Sequence, residues 1–211
     1  MLNNRRVDDR DSDYVLGDLR CGLHQLVGHR VHRGHQRIEF LADKADRYPV
    51  SERLVGYRQA VAAFGLPENP ALVCFLDDLN QNYYDLTCNL ARTVDPAPTA
   101  IFTYNDWNAV AVMRALIDLG YRVPHVSVVG YDNVESSGYP HPPLTSLPQQ
   151  AYQIGQVGTE KLIEPIHWSV DQPWSEHHVF FNPELLVRAS TSPGLLMDLI
   201  MPVVGQTQVG S

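Results

Sequence analysis

The sequence lacks the surplus of basic residues that nucleic-acid-binding chains usually carry. Its 211 residues include 16 lysines and arginines against 24 aspartates and glutamates, which gives a formal net charge of -8. Proteins that bind the phosphate backbone of nucleic acids do so with clustered cations. We therefore expect no direct DNA contact from these residues.

Long apolar segments and paired cysteines are also missing. No stretch reaches the roughly 20 apolar residues that a membrane-spanning helix needs. Residues 1–13 are mostly charged or polar and contain no apolar segment of the kind found in signal peptides. The three cysteines, Cys21, Cys74 and Cys88, have no C-x-x-C spacing, which fits a reducing compartment. We predict a cytoplasmic protein that makes no contact with a membrane.

Motifs for catalysis, phosphate binding and metal binding are absent as well. The sequence has no G-x-S-x-G elbow, no G-x-x-x-x-G-K-[ST] or G-x-G-x-x-G loop and no H-E-x-x-H. Four histidines cluster near the start of the chain without the i, i+4 spacing that places two imidazoles on one helical face: His24, His29, His32 and His35. We predict a protein that is not an enzyme and holds neither a cofactor nor a metal.

What the sequence does have is an alternation of short apolar runs with longer helical patterns. Apolar residues make up 44% of the chain and charged residues 19%, which is typical of a globular domain. The predicted strands cover 14–18, 37–41, 71–76, 99–104 and 126–131, and the predicted helices 19–33, 51–64, 81–91 and 107–119. Buried strands separated by helices predict an α/β fold, with a parallel sheet flanked by helices.

The pattern changes after Leu147. A helix is predicted over 149–163, followed by extended segments at 179–181 and 184–188. Residues 1–13 and 192–211 are predicted to be poorly ordered ends of the chain.

Polar residues follow two neighbouring strands of this predicted sheet. Asn105 and Asp106 come after one strand and Asp132 after the next. Parallel sheets bind ligands at the carboxyl ends of their strands, and amide and carboxylate groups suit hydroxyl-rich ligands. Two other roles stay open: Asn105 or Asp106 can cap the following helix, and Asp132 can form a turn with its own backbone.

Arg53 is a candidate of another kind. It lies just inside the helix that Ser51 is predicted to cap, where the helix dipole disfavours a cation by roughly 0.3–1 kcal/mol. A functional contact would explain this position. The alternative is a solvated side chain, or one paired near Glu52, with little energetic weight.

Three sequence blocks identify a resemblance. The blocks FTYNDW (102–107), VVGYDN (128–133) and PPLTSL (142–147) together resemble the C-terminal half of the effector-binding core of LacI/GalR-family transcription repressors. Further similarity lies in GHQRI (34–38), in RLVGY (53–57), which is similar to the family's Arg-x-x-Gly-Phe/Tyr motif, and in ELLVRAST (184–191). The resemblance spans about 14–191.

The resemblance implies a fold and a ligand site. The fold is a type I periplasmic-binding-protein-like core of two lobes, with the C-terminal lobe over about 18–147 and part of the N-terminal lobe over about 148–180. Asp132 and Arg53 match residues that contact the effector, a sugar-like or nucleobase-like molecule, and Asn105 and Gln149 are further ligand candidates. The aromatic residue that stacks on the effector in the family has no clear counterpart near residues 77–84.

The resemblance also implies partners. Family members form homodimers and bind operator DNA through a helix-turn-helix headpiece, and neither this headpiece nor most of the first lobe has a counterpart ahead of Tyr14. Apolar residues of the helix over 149–163 would then form an exposed stripe: Ile154, Val157, Leu162 and Ile163. The alternative function is a stand-alone sugar-binding module related to periplasmic binding proteins, which the absence of a signal peptide disfavours.

Overall fold

The computed structural model describes residues 2–3, 13–43, 50–76, 82–163 and 178–191. Within them, eight strands and five α-helices follow one another along the chain. The strands are β1 (Leu2–Asn3), β2 (Tyr14–Gly17), β3 (Ile38–Ala42), β4 (Val73–Phe75), β5 (Ala100–Thr103), β6 (Ser127–Asp132), β7 (Thr145–Pro148) and β8 (His178–Phe181). The helices are α1 (Leu19–Val31), α2 (Val50–Ala63), α3 (Tyr83–Thr93), α4 (Asp106–Asp118) and α5 (Ala151–Ile163).

The larger of two sheets has five parallel strands in the order β4-β3-β5-β6-β7. The middle of each central strand is aligned with its neighbours, since Phe40 pairs with Phe102 and Phe102 with Val129. The carboxyl ends of β5, β6 and β7 therefore meet at one edge. This edge carries three of the predicted ligand residues, Asn105, Asp132 and Gln149.

Both faces of the five-stranded sheet are covered, which explains the continuous apolar runs in its strands. On one face, Leu23 of α1 and Tyr57 of α2 share a core with Phe40 of β3 and Phe102 of β5. On the other face, the core includes Val112 of α4 and Val128 of β6. The predicted parallel sheet flanked by helices is confirmed.

The smaller sheet has three parallel strands in the order β1-β2-β8, and α5 packs against β1 and β2. The chain passes from this sheet to the larger one between β2 and α1, and returns between β7 and α5. The expected apolar stripe on α5 is only partly present: Ile154 is buried, whereas Leu162 and Ile163 are exposed. The buried residues of the helix are Ile154 and Gly158, so packing on the small sheet covers its middle but not its end.

Most predicted boundaries agree with the structure to within two residues, as expected for assignments at helix and strand ends. Gly34, Gly65 and Gly120 follow α1, α2 and α4 with positive φ, which is the conformation that ends helices. The prediction that Ser51 caps α2 is wrong, because the helix already includes Val50. The predicted strand over 71–76 begins as a 3-10 turn at Pro70–Leu72.

Other predictions concern the ends of the chain. The predicted extended segment over 184–188 makes one antiparallel bridge, between Leu186 and Ser146. The predicted disorder of residues 192–211 and of nearly all of residues 1–13 lies outside the described residues. None of the helices in the described part of the chain combines the length and apolar character of a bilayer-spanning helix.

Candidate functional site

The edge formed by the ends of β5, β6 and β7 brings three of the four predicted site residues together. Arg53 reaches it from the first turns of α2, Asp132 ends β6, and Gln149 follows β7. The Nη2 atom of Arg53 is 3.9 Å from Oδ1 of Asp132, and Nε2 of Gln149 donates a 2.7 Å hydrogen bond to the same oxygen. One carboxylate oxygen therefore links the other two side chains.

Arg53 is almost completely buried, with 2% of its surface exposed. Its guanidinium carbon lies 3.7 Å from the ring centre of Tyr131 and 4.6 Å from that of Tyr104, a cation–π arrangement. Nη1 also donates to the backbone carbonyl of Tyr104. The alternative of a solvated Arg53, or one paired near Glu52, is wrong, because Glu52 accepts from Arg20 at 2.9 Å instead.

Asp132 has an unusual backbone and an unusual carboxyl group. Its φ of 106° lies in the left-handed region that residues other than glycine rarely adopt. The pKa of the carboxyl is raised to about 6 in all: burial is the largest cause, the charge of Asp106 also raises the pKa, and the charge of Arg53 and the Gln149 hydrogen bond lower it. Since the carboxylate is directed at Arg53 and Gln149, its contacts differ from those of a residue that only forms a turn.

Gln149 lies where the chain leaves the large sheet for the small one. Besides its side-chain bond, its backbone N–H donates to the carbonyl of Asp132 at 3.4 Å. Gly17, at the other crossing, packs close by, since a Cβ there would stand 3.7 Å from the Gln149 carbonyl and 4.0 Å from the Tyr131 hydroxyl. The candidate site therefore adjoins two of the three crossings that the described residues make, the third being the return to the large sheet after β8.

Asn105 and Asp106, which were candidates for capping α4 and for contacting a ligand, have different positions in the structure. Asn105 caps α4, because its side chain accepts a 2.9 Å hydrogen bond from the backbone N–H of Asn108 and its extended backbone suits the cap position. Asp106 is the first helical residue and is 1% exposed. Of the two open alternatives, capping by Asn105 is therefore correct and capping by Asp106 is wrong. A ligand contact by Asn105 stays a prediction.

A cavity of about 280 Å³ lies beside the site rather than within it. It is bounded by the end of β2, the start of α1, Glu52 and Phe180. None of the four predicted site residues lines it, so the cavity and the polar cluster are neighbouring features. It is in the polar cluster, not in the cavity, that buried charged groups and a left-handed backbone coincide.

Two parts of the site were not predicted from the sequence: the tyrosines around Arg53, and the role of Asp106. Tyr104 and Tyr131, which hold the Arg53 guanidinium, directly precede Asn105 and Asp132 in the chain. This repeated aromatic-then-polar pattern on neighbouring strands is a usable signal for a stacking pair. The role of Asp106 had no comparable signal, because its partners come from segments 28 or more positions away.

The histidines near α1 show no sign of metal binding. His35 is buried, with Nδ1 3.0 Å from the Thr99 hydroxyl and Nε2 3.2 Å from the Ser127 hydroxyl. Burial lowers the pKa of His35 to about 4, which is typical of a neutral core histidine. In the part of the chain that the structure describes, no group of three or more His, Cys, Asp or Glu side chains could hold a metal ion.

Comparison with known proteins agrees with this geometry. Residues 27–191 match the family model of the periplasmic binding protein-like domain. The transcriptional repressor PurR of Aliivibrio salmonicida is 29% identical over 185 residues, covering 87% of this chain and 54% of the relative. PurR of Photobacterium profundum is 31% identical over 181 residues, covering 85% and 53%. The chain thus spans about half the length of the curated relatives it matches.

Solved structures show the same relationship. A LacI-family regulator from Enterococcus faecium with bound ribose superposes with a TM-score of 0.76 at 25% identity, covering 90% of this chain and 69% of the other. The regulator CelR in complex with cellobiose gives a TM-score of 0.73 at 29% identity, covering 87% and 55%. These relatives are transcription regulators and not enzymes. The chain belongs to the periplasmic binding protein-like family, as an effector-binding core of the LacI/GalR type.

Proposed function

We propose that this chain is the effector-sensing and dimerisation part of a cytoplasmic LacI/GalR-type transcription repressor. The proposed ligand is sugar-like or nucleobase-like, and the proposed ligand residues are Arg53, Asn105, Asp132 and Gln149. The observation that carries the proposal is that Arg53 and Gln149 meet one carboxylate oxygen of Asp132, beside two of the crossings between the two sheets.

The chemistry of the cluster suits a hydroxyl-rich ligand. An ionised Asp132 accepts hydrogen bonds from ligand hydroxyls, and the amide of Gln149 can both donate and accept. The Nε atom of Arg53 is buried without a hydrogen-bond acceptor among the described residues, and a ligand oxygen would supply one. Ribose and cellobiose in the related regulators contain such hydroxyls.

The proposed mechanism is a change in the angle between two lobes. We assign residues 18–147 to one lobe and the described part of 148–180 to the other, within a domain over 14–191. A ligand that bridges the Asp132–Gln149 bond contacts both lobes near the crossings, so its binding favours one lobe arrangement over another. In a full regulator this change would alter operator binding by a headpiece outside these residues. The chain itself has a net charge of -8, which does not favour direct contact with DNA.

Replacing Asp132 with asparagine tests the ligand site. We expect the affinity for the bound sugar or nucleobase to fall about tenfold, because a charged hydrogen bond becomes a neutral one. Because the pKa of Asp132 is about 6, the original chain should bind most tightly above pH 6 and lose affinity as the pH falls below it. Asp132→Asn should lack this dependence. A thermal-shift screen of sugars and nucleobases, followed by calorimetric titration, measures both effects.

Asp118→Asn is the matched control. Asp118 belongs to α4, and its carboxylate pairs with Arg114 on the exposed side of the helix, so its loss should leave affinity and pH dependence unchanged. A ligand that binds equally well to the original chain and to Asp132→Asn would contradict the site. So would a chain that binds none of the screened sugars or nucleobases.

The proposed homodimer has a candidate surface at the start of α4. Trp107 and Tyr139 are 66% and 69% exposed, and Asp106 joins their segments through its bond to Ser137. We expect the original chain to sediment as a dimer and Trp107→Asp as a monomer, because the charge would enter an apolar contact. Tyr152→Asp, at an 80% exposed position on α5, is the control that should stay dimeric. A monomeric original chain would refute the homodimer, and a dimeric Trp107→Asp would refute this surface.

A further inference from the structure

The two backbone amides that follow Asp132 are held by one buried carboxylate. The N–H of Val134 donates to Oδ2 of Asp106 at 2.9 Å. The N–H of Asn133 donates to the Ser146 hydroxyl at 3.1 Å, and that hydroxyl donates to Oδ1 of Asp106 at 2.6 Å. Asp106 therefore holds one amide directly and the other through Ser146.

The turn held in this way is conformationally strained. Asp132 has a φ of 106°, which a residue with a side chain keeps only where surrounding contacts enforce it, whereas the φ of 51° at Asn133 lies in the left-handed region that Asn adopts more readily. Asp106 supplies those contacts from α4, on the side of the turn away from Arg53. The same carboxylate also accepts from the Ser137 hydroxyl, which ties down the following 3-10 turn.

Gly130 shows how closely Asp106 approaches this strand. A Cβ on Gly130 would stand 2.1 Å from Oδ1 of Asp106 and 3.1 Å from its Cα. The carboxylate thus fills the space that a side chain would need, and β6 can pass beside it only because residue 130 is glycine.

We propose that Asp106 is the positioning residue of the ligand site: it fixes the left-handed turn that presents Asp132 to the ligand. The inference rests on the proposed function for the role of Asp132 and extends it to a residue that touches no ligand. Asp106 acts through hydrogen bonds to the turn, and its charge acts on the Asp132 carboxyl as well.

The influence of Asp106 on Asp132 can be measured through the pKa of the Asp132 carboxyl. Arg53 of α2 lowers the pKa of Asp132, Gln149 beyond β7 lowers it through its hydrogen bond, and Asp106 of α4 raises it. Burial raises the pKa of Asp106 itself, and its hydrogen bonds and the charge of Arg188 lower it. Removing the negative charge at Asp106 should therefore shift the titration of Asp132 to lower pH.

The experiment compares Asp106→Asn with Asp118→Asn, the same change at the exposed end of the same helix. Carboxyl-carbon NMR titration, with Asp132 assigned through Asp132→Asn, should give a lower midpoint for Asp132 in Asp106→Asn and no change in the control. Amide exchange at Val134 should accelerate by about tenfold or more in Asp106→Asn, since a charged hydrogen bond is weakened. An unchanged midpoint together with unchanged exchange would overturn the proposal.

Ser146→Ala provides a second variant that keeps the Asp106 carboxylate. It removes the link to Asn133, so exchange of the Asn133 amide should accelerate while that of Val134 stays close to the original. If Asp106→Asn does not fold, unchanged exchange at Asn133 in Ser146→Ala would overturn the proposal. None of these measurements needs a ligand. Failure to bind sugars or nucleobases would refute the proposed function, and with it the ligand role of Asp132, whereas the hold of Asp106 on the turn is tested separately by the exchange and titration measurements.

Discussion

Replacing Gly130 with alanine is expected to lower the free energy of unfolding by about 3 kcal/mol or more. The new Cβ would stand 2.1 Å from Oδ1 of Asp106 and 3.0 Å from a methyl carbon of Leu144, and overpacking of this kind costs about 1–3 kcal/mol. Moving Asp106 aside would also weaken its hydrogen bonds to Val134 and Ser146, and bonds to a charged group are worth about 1.5–3 kcal/mol each. The loss should therefore exceed that of ordinary overpacking.

Gly155→Ala is the matched control for this substitution. Gly155 lies inside α5, and a Cβ there would meet nothing within 4 Å, so alanine should raise the free energy of unfolding by roughly 0.5–1 kcal/mol. Urea denaturation of the two variants and the original chain measures both changes. A Gly130→Ala chain as stable as the original would show that β6 and α4 can separate, and would contradict the close approach on which the role of Asp106 depends.

The sequence was sufficient to predict the α/β alternation for a physical reason. Strands of a parallel sheet covered on both faces need mostly apolar residues, as in β3 and β5, whose residues are all buried and, except for Glu39 and Thr103, apolar. Such runs stand out between helices, three of which are followed by glycines with positive φ. The small sheet was harder to predict, because β2 and β8 were each predicted as extended segments but pair across about 160 residues of chain, and nothing in either segment indicates its partner.

The candidate site was predicted in part. The edge position of Asp132 and the functional interest of Arg53 could be derived from strand order and from the helix dipole, respectively. The roles of Asn105 and Asp106 could not be distinguished, because the cap is chosen by the backbone conformation of a single residue. A shift of one position in the start of α4 exchanges the two roles, and sequence patterns do not locate helix ends to that accuracy.

The aromatic-then-polar pattern marks Tyr104 and Tyr131 in the sequence but does not indicate that Arg53 stacks on them. Both tyrosines lie within apolar runs, where an aromatic residue is most simply part of the core. Only the position of α2 over the ends of β5 and β6 converts them into a site for a guanidinium group. This position depends on the packing of α2 against α1 and the sheet.

Loss of the Arg53 side chain should have the largest effect on ligand binding. We expect Arg53→Ala to reduce affinity for the screened sugar or nucleobase by about a hundredfold, since a buried guanidinium forms charged hydrogen bonds worth about 1.5–3 kcal/mol. Arg53→Lys should retain only part of the original affinity, because an ammonium group cannot reproduce the planar stacking on Tyr131. Calorimetric titration measures both variants. Arg58→Ala, which removes an exposed arginine of the same helix, should bind like the original chain.

Arg53→Ala should also change the titration midpoint of Asp132, independently of ligand binding. The charge of Arg53 lowers the pKa of that carboxyl against the effect of burial, so Arg53→Ala should raise its NMR titration midpoint above about 6. Asp106→Asn should lower it, because the neighbouring charge it removes is negative. Opposite shifts from two variants on opposite sides of Asp132 cannot arise from a general loosening of the fold, which would expose the carboxyl and lower its pKa in both. Shifts in the same direction would therefore contradict the electrostatic arrangement, whether or not a ligand is bound.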